Sequence, residues 1–531
     1  MKKCEHIPAK SRFVTLWRLL TCAKCRQYRK SDALINAEVR AFRKVSTPAQ
    51  GLERTLQTIQ NAQGGMPFSV ELARKRNRLL SPKHLRAYGV VACGLLLTAG
   101  VTFHELNVDP TVNIPSPTMP KPNAYDYYYE AGKMTEALKA ESKTVSDMET
   151  DLHDLRSHIQ KFTPQMRAEA IEKFEPALTR MREGFQYPFM NPPLRSASQL
   201  LPQFASFRNL ARTLTLESDV YADQADWGEA INSRLDSLYL GRECPKDGTL
   251  IAGLVSIAIQ AIGRAHTQPI IENLSAEEAR SAVKRMESIL SEEVSYAQIL
   301  REEKLAMQAS LMEIFHQISW RTSYVNLLYG GENSSSGSWS NRMQALRFLF
   351  VNKRASMKNI TEYCDAIIAE AELPYRKSRP APPVPNDMLS QIFCPVFSQA
   401  EFKFVQNQTD NRMMLTALAL QAYRAERKAY PASLQELVKG KYLSELPRDS
   451  FNLGQPLKYV NQGAKYLLYS VGPDGIDDGG KPAENSEFYG NNNIPRPQKP
   501  GSLHLNAAQI RQLHQMSPQS EGDDVYQVNT R

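Results

Sequence analysis

The chain has 531 residues, 42% hydrophobic and 23% charged, with a formal net charge of +9, which is more than one core usually holds, so two or more folded units are expected. Its 7 cysteines are too sparse for a disulfide-dense secreted scaffold. The charge does not point to nucleic acid, because residues 1–86 carry 19 Lys plus Arg against 5 Asp plus Glu and the rest carry 46 against 51.

The basic segment 1–86 opens on Cys4-Glu-His6, passes through SRFVTLWRLL and reaches Cys22-Ala-Lys-Cys25. Three thiols and an imidazole suit a tetrahedral zinc ion, and the Cys-x-x-Cys spacing lets two sulfurs meet one ion around a tight turn. A small reduced helix pair with free thiols is the alternative. The layout is similar to the zinc-binding domain of membrane-bound anti-sigma factors, in which a short helix leads into His-x-x-x-Cys-x-x-Cys. Here Arg18 stands four before Cys22, so Cys4 or His6 would take the place of that histidine. The resemblance implies a cytoplasmic zinc module with ligands Cys4, His6, Cys22 and Cys25.

The 17 residues Ala87–Phe103, AYGVVACGLLLTAGVTF, contain no charged side chain. As a helix they cover about 25 Å, slightly short of a hydrocarbon core of about 30 Å, and Lys83 and Arg86 can reach the interface. A buried core helix would not explain the one-sided flank Arg74, Lys75, Arg76, Arg78, Lys83 and Arg86, so a single transmembrane helix is expected. Positive charge kept inside places the N-terminus in the cytoplasm and the larger C-terminal part outside it. The distance of the apolar run from residue 1 argues against a signal peptide. Cys244, Cys364 and Cys394 then lie outside, where they allow at most one internal bridge or stay as three buried thiols.

Residues 104–124 include DPTVNIPSPTMPKPN, whose prolines predict a semi-extended stalk. From 125 to 373 the apolar spacing is helical: Trp227, Ile231, Leu235 and Leu238 make one stripe, and Val283, Met286 and Leu290 another. A helical bundle or helical repeat is predicted. Tyr221–Pro245 looks like part of a tetratricopeptide unit, with no second copy at a clean period. Ile251–Ile262 is too short to span a membrane and reads as a buried helix. No nucleophile elbow, phosphate loop or dinucleotide fingerprint is present, and His153 and His158 are five apart, which is not a metal-pair spacing on a helix. A non-enzymatic role is expected.

A second proline-rich stretch, residues 374–386, predicts a linker to a domain at 387–493. There Asn411–Lys428 repeats Met414, Leu418 and Ala422 every four positions until Tyr430-Pro431 stops the helix. Ser433–Leu437 gives a second short helix, and Tyr466–Ser470 is the clearest strand of a two- or three-stranded sheet packed on the long helix. The loop Gly472–Gly480 crowds Asp474, Asp477 and Asp478 among glycines, an oxygen-rich arrangement suited to calcium, with a solvated acidic turn as the alternative. Residues 421–480 as a whole resemble the globular half of the major pseudopilin of type II secretion systems. The resemblance implies an α+β fold and structural calcium held by Asp474 and by Asp477 or Asp478. Of the later acidic ligands of that family only Glu487 has an ionised counterpart in 485–493, and the family's long helix continues from an N-terminal anchor that here lies far upstream. Residues 494–531 are polar and predict disorder, with Ala507–Met516 able to form a short helix on a partner.

The expected fold is mainly α with a small α+β C-terminal domain, a single transmembrane helix and a helical-bundle or helical-repeat middle domain. The expected function is that of a single-pass protein of the bacterial inner (cytoplasmic) membrane. It carries a pseudopilin-like domain and has a structural or protein-interaction role in the cell envelope, with protein partners and no nucleic acid. The alternative is an anti-sigma-like transmembrane regulator with a cytoplasmic zinc module. Nothing indicates a small-molecule substrate.

Overall fold

The computed structural model describes residues 82–141, 162–317, 350–484 and 516–526, less 197, 200, 378, 395, 396, 519 and 521, together with 320, 321 and 348. Cys4, His6, Cys22, Cys25, His153, His158 and Glu487 lie outside the described residues. The chain divides into two compact units, 1–103 and 104–531, and among the described residues there are 13 α-helices and one three-stranded sheet.

Helix α1, Pro82–Asn107, runs across that division. Its stretch Val90–Asn107 has a mean hydropathy of 1.4 with none of it buried, and is long and apolar enough to cross a membrane. Its two threonine hydroxyls are satisfied internally, Thr98 donating to the Gly94 carbonyl at 2.8 Å and Thr102 to that of Thr98 at 2.8 Å.

Within residues 104–531, α2 (Ala124–Glu141), α3 (Pro164–Glu183) and α4 (Gln203–Asp223) pack together, and α4 turns tightly into α5 (Trp227–Glu243) and α6 (Leu250–Arg264). The short α7 (Gln268–Asn273) leads to α8 (Ala276–Ser291) and α9 (Tyr296–His316). Polar residues set these starts. Asp226 accepts from the Glu229 amide at 3.1 Å, and Ser275 with Glu278 and Ser295 with Gln298 form reciprocal capping boxes, each filling amides that no earlier turn can satisfy. After α10 (Lys353–Ala371) and α11 (Met388–Phe393) comes the longest helix, α12 (Phe397–Arg427), then α13 (Gln435–Lys439).

The separate helical and α+β domains expected from the proline-rich boundary do not appear as separate cores. Ile231, Leu235 and Leu238 of α5, Val283 and Met286 of α8, and Met414, Leu418 and Ala422 of α12 belong to one buried cluster that also takes in Leu437, Leu457 and Leu468. The reason lies in α12, whose residues Met413, Met414, Leu415, Ala417, Leu418, Ala419 and Leu420 are all buried. A helix apolar on every side needs cover on every side, and α8 supplies one side while the sheet supplies another. The 374–386 stretch is likewise held down: the Tyr375 ring meets Phe451 edge-on at 5.4 Å, and Arg379 donates to the Glu370 carbonyl at 3.2 Å and the Pro374 carbonyl at 2.7 Å. The stalk is fixed too, with Lys353 Nζ 2.7 Å from Asp109 Oδ1 and Asn123 bridging the Met190 backbone at 2.9 and 3.1 Å.

The sheet runs in the order β1 (Lys458–Asn461), β2 (Tyr466–Ser470), β3 (Asp524–Val525), antiparallel throughout, with Lys458 opposite Tyr469 and Ser470 opposite Asp524. β3 corrects the expectation of disorder across 494–531, since residues 516–526 return to the fold and Met516 packs with Phe402, Phe451, Val471 and Ala483. A two-residue strand satisfies the bare edge of β2 through backbone bonds, so a polar composition does not forbid it. Close backbone approach requires glycine here: at Gly472, φ is +71° and a Cβ would stand 2.3 Å from the Gly522 carbonyl oxygen.

Three thiols of this unit are free and buried, Cys244 in one core and Cys364 and Cys394 in another. Burial pushes Cys244 up and takes Cys364 and Cys394 to about 12, so all three stay protonated and unreactive.

Candidate functional site

Two features outside the apolar cores carry ionisable side chains in unusual numbers. The first is the glycine-rich loop after β2. Asp474 accepts from the Ile476 amide at 3.0 Å through Oδ1 and from the Gly522 amide at 3.2 Å through Oδ2. Asp477 accepts from the Tyr469 hydroxyl at 3.0 Å and the Gly479 amide at 3.1 Å, and pairs with Lys458 Nζ at 2.9 Å. The lysine holds the Asp477 carboxyl below its usual range. Asp478 contributes its backbone, donating to Asp523 Oδ1 at 3.3 Å, while Gly480 donates to Asp523 Oδ2 at 2.6 Å.

The loop is therefore closed by Asp523, a carboxylate from the far tail, with the Asp474 and Asp477 carboxylates turned to separate partners and Asp478 held through its amide. Among the described residues no three His, Cys, Asp or Glu side chains converge as a metal site would require. In this arrangement Lys458 takes the position beside Asp477 that a divalent cation would want. Sequence reasoning missed Asp523; the signal was Gly522-Asp523-Asp524-Val525, a compact acidic run inside a polar tail whose other charges are mostly basic.

Beneath the loop lies Asp449, fully buried. Its carboxyl accepts from the Phe451 amide at 2.9 Å, the Ser470 hydroxyl at 2.8 Å and the Val471 amide at 3.0 Å, tying the turn before β1 to the end of β2. Burial raises its pKa and the three donors oppose that shift.

The second feature is a cavity of about 420 Å³ where α6, α12 and β3 meet, lined by Arg264, His266, Asp410, Asp524 and Tyr526 among others. Arg264 ends α6 and reaches across to α12, donating to Asn407 Oδ1 at 2.8 Å, to Asn411, and to Asp410 Oδ2 at 3.1 Å. Gln260, one turn earlier, accepts from Asn407 Nδ2 at 3.0 Å and Asn411 Nδ2 at 2.6 Å. The polar start of α12 thus docks on the polar end of α6.

Asp524 reaches this cavity from β3 and adds a second buried carboxyl to that of Asp410. Burial raises the pKa of both, that of Asp524 well above its ordinary value because the charges of Asp410 and Asp449 add to the effect, while Arg264 pulls the other way. The arrangement brings the tail against α6 and α12. These residues lie more than a hundred positions apart in the chain, so no spacing motif announces them. The one local sign is Asn407, Asp410 and Asn411 placed immediately before the apolar run of α12.

Compared with protein families, with curated proteins and with solved structures, the chain matches none.

Proposed function

We propose that this protein is a single-pass membrane protein of the bacterial envelope whose residues 104–531 act outside the cytoplasm as a non-enzymatic platform for protein partners. The observation that carries the reading is α1: an apolar stretch from Val90 to Asn107 with none of it buried. At roughly 25 cal/mol per Å² of apolar surface, so much exposed hydrocarbon needs a non-aqueous surrounding, and the basic residues before it argue for an inside N-terminus. Support for a non-enzymatic role comes from the cavity, whose one guanidinium, Arg264, is committed to Asn407, Asp410 and Asn411. The exposed pair Ile251 and Leu254 on α6 offers apolar surface of the kind protein partners cover.

In the same reading residues 387–493 are a pseudopilin-like module used for contact within the envelope. The long helix α12 begins at Phe397 inside the folded unit, which leaves no continuous stalk for filament growth. The arrangement is tested by adding protease to spheroplasts. The expected result is carbonate-resistant membrane association and digestion of everything after residue 110, leaving a protected basic fragment; a freely soluble protein untouched by protease would sink the proposal.

Calcium enters this reading as a competitor of Lys458 for Asp477, with Asp474 and Asp478 as the neighbouring carboxylates. The Lys458–Asp477 pair is part-exposed, and such pairs contribute about 0.2–1 kcal/mol. Lys458→Ala is therefore expected to bind calcium roughly 2–5-fold more tightly than the wild type, read as a larger calcium-induced rise in unfolding midpoint. No rise in either protein removes calcium from the loop.

A further inference from the structure

Outside α1, the most exposed large apolar side chain among the described residues is Phe350, at 71%. Its neighbours Phe348 and Val351 are buried, so the turn is anchored and the ring is presented outward from a fixed base. The anchor leads to the end of α1. Arg321 donates to the Val351 carbonyl at 2.9 Å and to the Leu106 carbonyl at 3.5 Å, and also bonds Asn107. Lys353 pairs with Asp109 at 2.7 Å while donating to the Phe315 carbonyl at 2.8 Å, and Arg354 reaches the Asp109 carbonyl at 3.4 Å. The turn carrying Phe350 is thus clamped to Leu106 and Asn107, the last residues of α1, and to Asp109 just beyond it.

Arg354 and Lys358 are four apart on α10 and share a face; both are exposed, and among the described residues Lys358 pairs with Glu362 at 3.7 Å. An exposed aromatic ring followed within eight residues by two exposed long cations, on a turn and helix tied to the end of α1, is the composition that seats at the level of lipid headgroups. We infer that Phe350, Arg354 and Lys358 form a second membrane contact, with the ring entering the interface of the bilayer that holds α1 and the cations meeting lipid phosphates. This rests on the proposed membrane span. It gives the outer unit two points of attachment, so it is oriented on the bilayer where a single tether would leave it to swing.

The test places the photoreactive residue benzoylphenylalanine at 96, 350 or 476 of the full chain in nanodiscs of phosphatidylethanolamine and phosphatidylglycerol, and scores lipid adducts by mass. Ile476 is nearly as exposed as Phe350, at 60%, but lies in the acidic loop. Adducts at 96 and 350 with at least fivefold fewer at 476 are expected, and Arg354→Glu with Lys358→Glu is expected to lower the yield at 350 at least twofold without changing that at 96. Adducts at 96 with 350 no higher than 476, or crosslinks from 350 to protein alone, overturn the contact and leave the span standing. Absence of adducts at 96 overturns the span and the contact with it.

Discussion

Arg234→Ala is expected to lower the unfolding free energy by about 3–5 kcal/mol, the range for removing one partner of a buried ion pair. Arg234 is 1% exposed, on α5, and its guanidinium joins three helices: Nε donates to the Ser218 hydroxyl at 2.9 Å, Nη2 to Asp219 at 2.8 Å on α4, and Nη1 to the Ile262 carbonyl at 3.5 Å on α6. Burial depresses its pKa, and Asp219 opposes that. Truncation takes the guanidinium from the Asp219 carboxylate, and the C-terminal turn of α6 loses its tie. The double variant Arg234→Met with Asp219→Leu removes the charge along with the donor and is expected to recover most of the loss, since apolar replacements of buried pairs are often neutral. Urea denaturation of the full chain in detergent measures both. Equal loss in single and double variants would show that side-chain volume, and not the orphaned charge, sets the cost.

The carboxyl pair Asp410–Asp524 is expected to make stability fall as pH rises. Burial raises the pKa of both groups in the folded protein, so their protonated forms favour the fold fully below the unfolded value of about 3.9, and that contribution is lost as pH climbs through the folded-state values. Asp524→Asn keeps the side-chain shape with no proton to lose. Relative to the wild type its stability profile should be flatter by up to about 1.4 kcal/mol per pH unit over the window in which Asp524 ionises. The variant should be the more stable protein at alkaline pH and gain nothing in acid. Denaturation midpoints across a pH series decide it, and parallel profiles for the two proteins would show that Asp524 ionises alike in the folded and unfolded chain. Asp449, Asp523 and Glu293 are also raised by burial, which is why the difference between the two proteins is the informative quantity.

What could be read in the chain followed local rules, and what could not depended on residues far apart. The stripes on α5 and α8, the stop of α12 at Tyr430-Pro431 and the strand at Tyr466–Ser470 were legible because periodicity and turn chemistry act over a few residues. That α12 would sit in one core with α5 and α8 was written in Met413–Leu420, apolar on all sides, yet the prolines at 374–386 suggested a boundary where the chain only bends. Prolines rule out helix without ruling out packing. The acidic loop was visible as a cluster of carboxylates, but its partners were not: Lys458 comes from the neighbouring strand and Asp523 from the tail, and which charge meets which is decided by strand register. The Arg264–Asp410–Asp524 grouping left no trace in spacing at all.

The third strand has a consequence for how the chain is made. β2 emerges from the ribosome with one flank uncovered, and Asp474 and Gly480 wait for Gly522 and Asp523, so the sheet stays unfinished until residues far downstream of β2 arrive. A nonsense codon anywhere between 485 and 515 would release a polypeptide with nearly every helix intact and an open, sticky seam at Tyr466–Ser470, a product suited to clumping and to disposal by quality-control proteases.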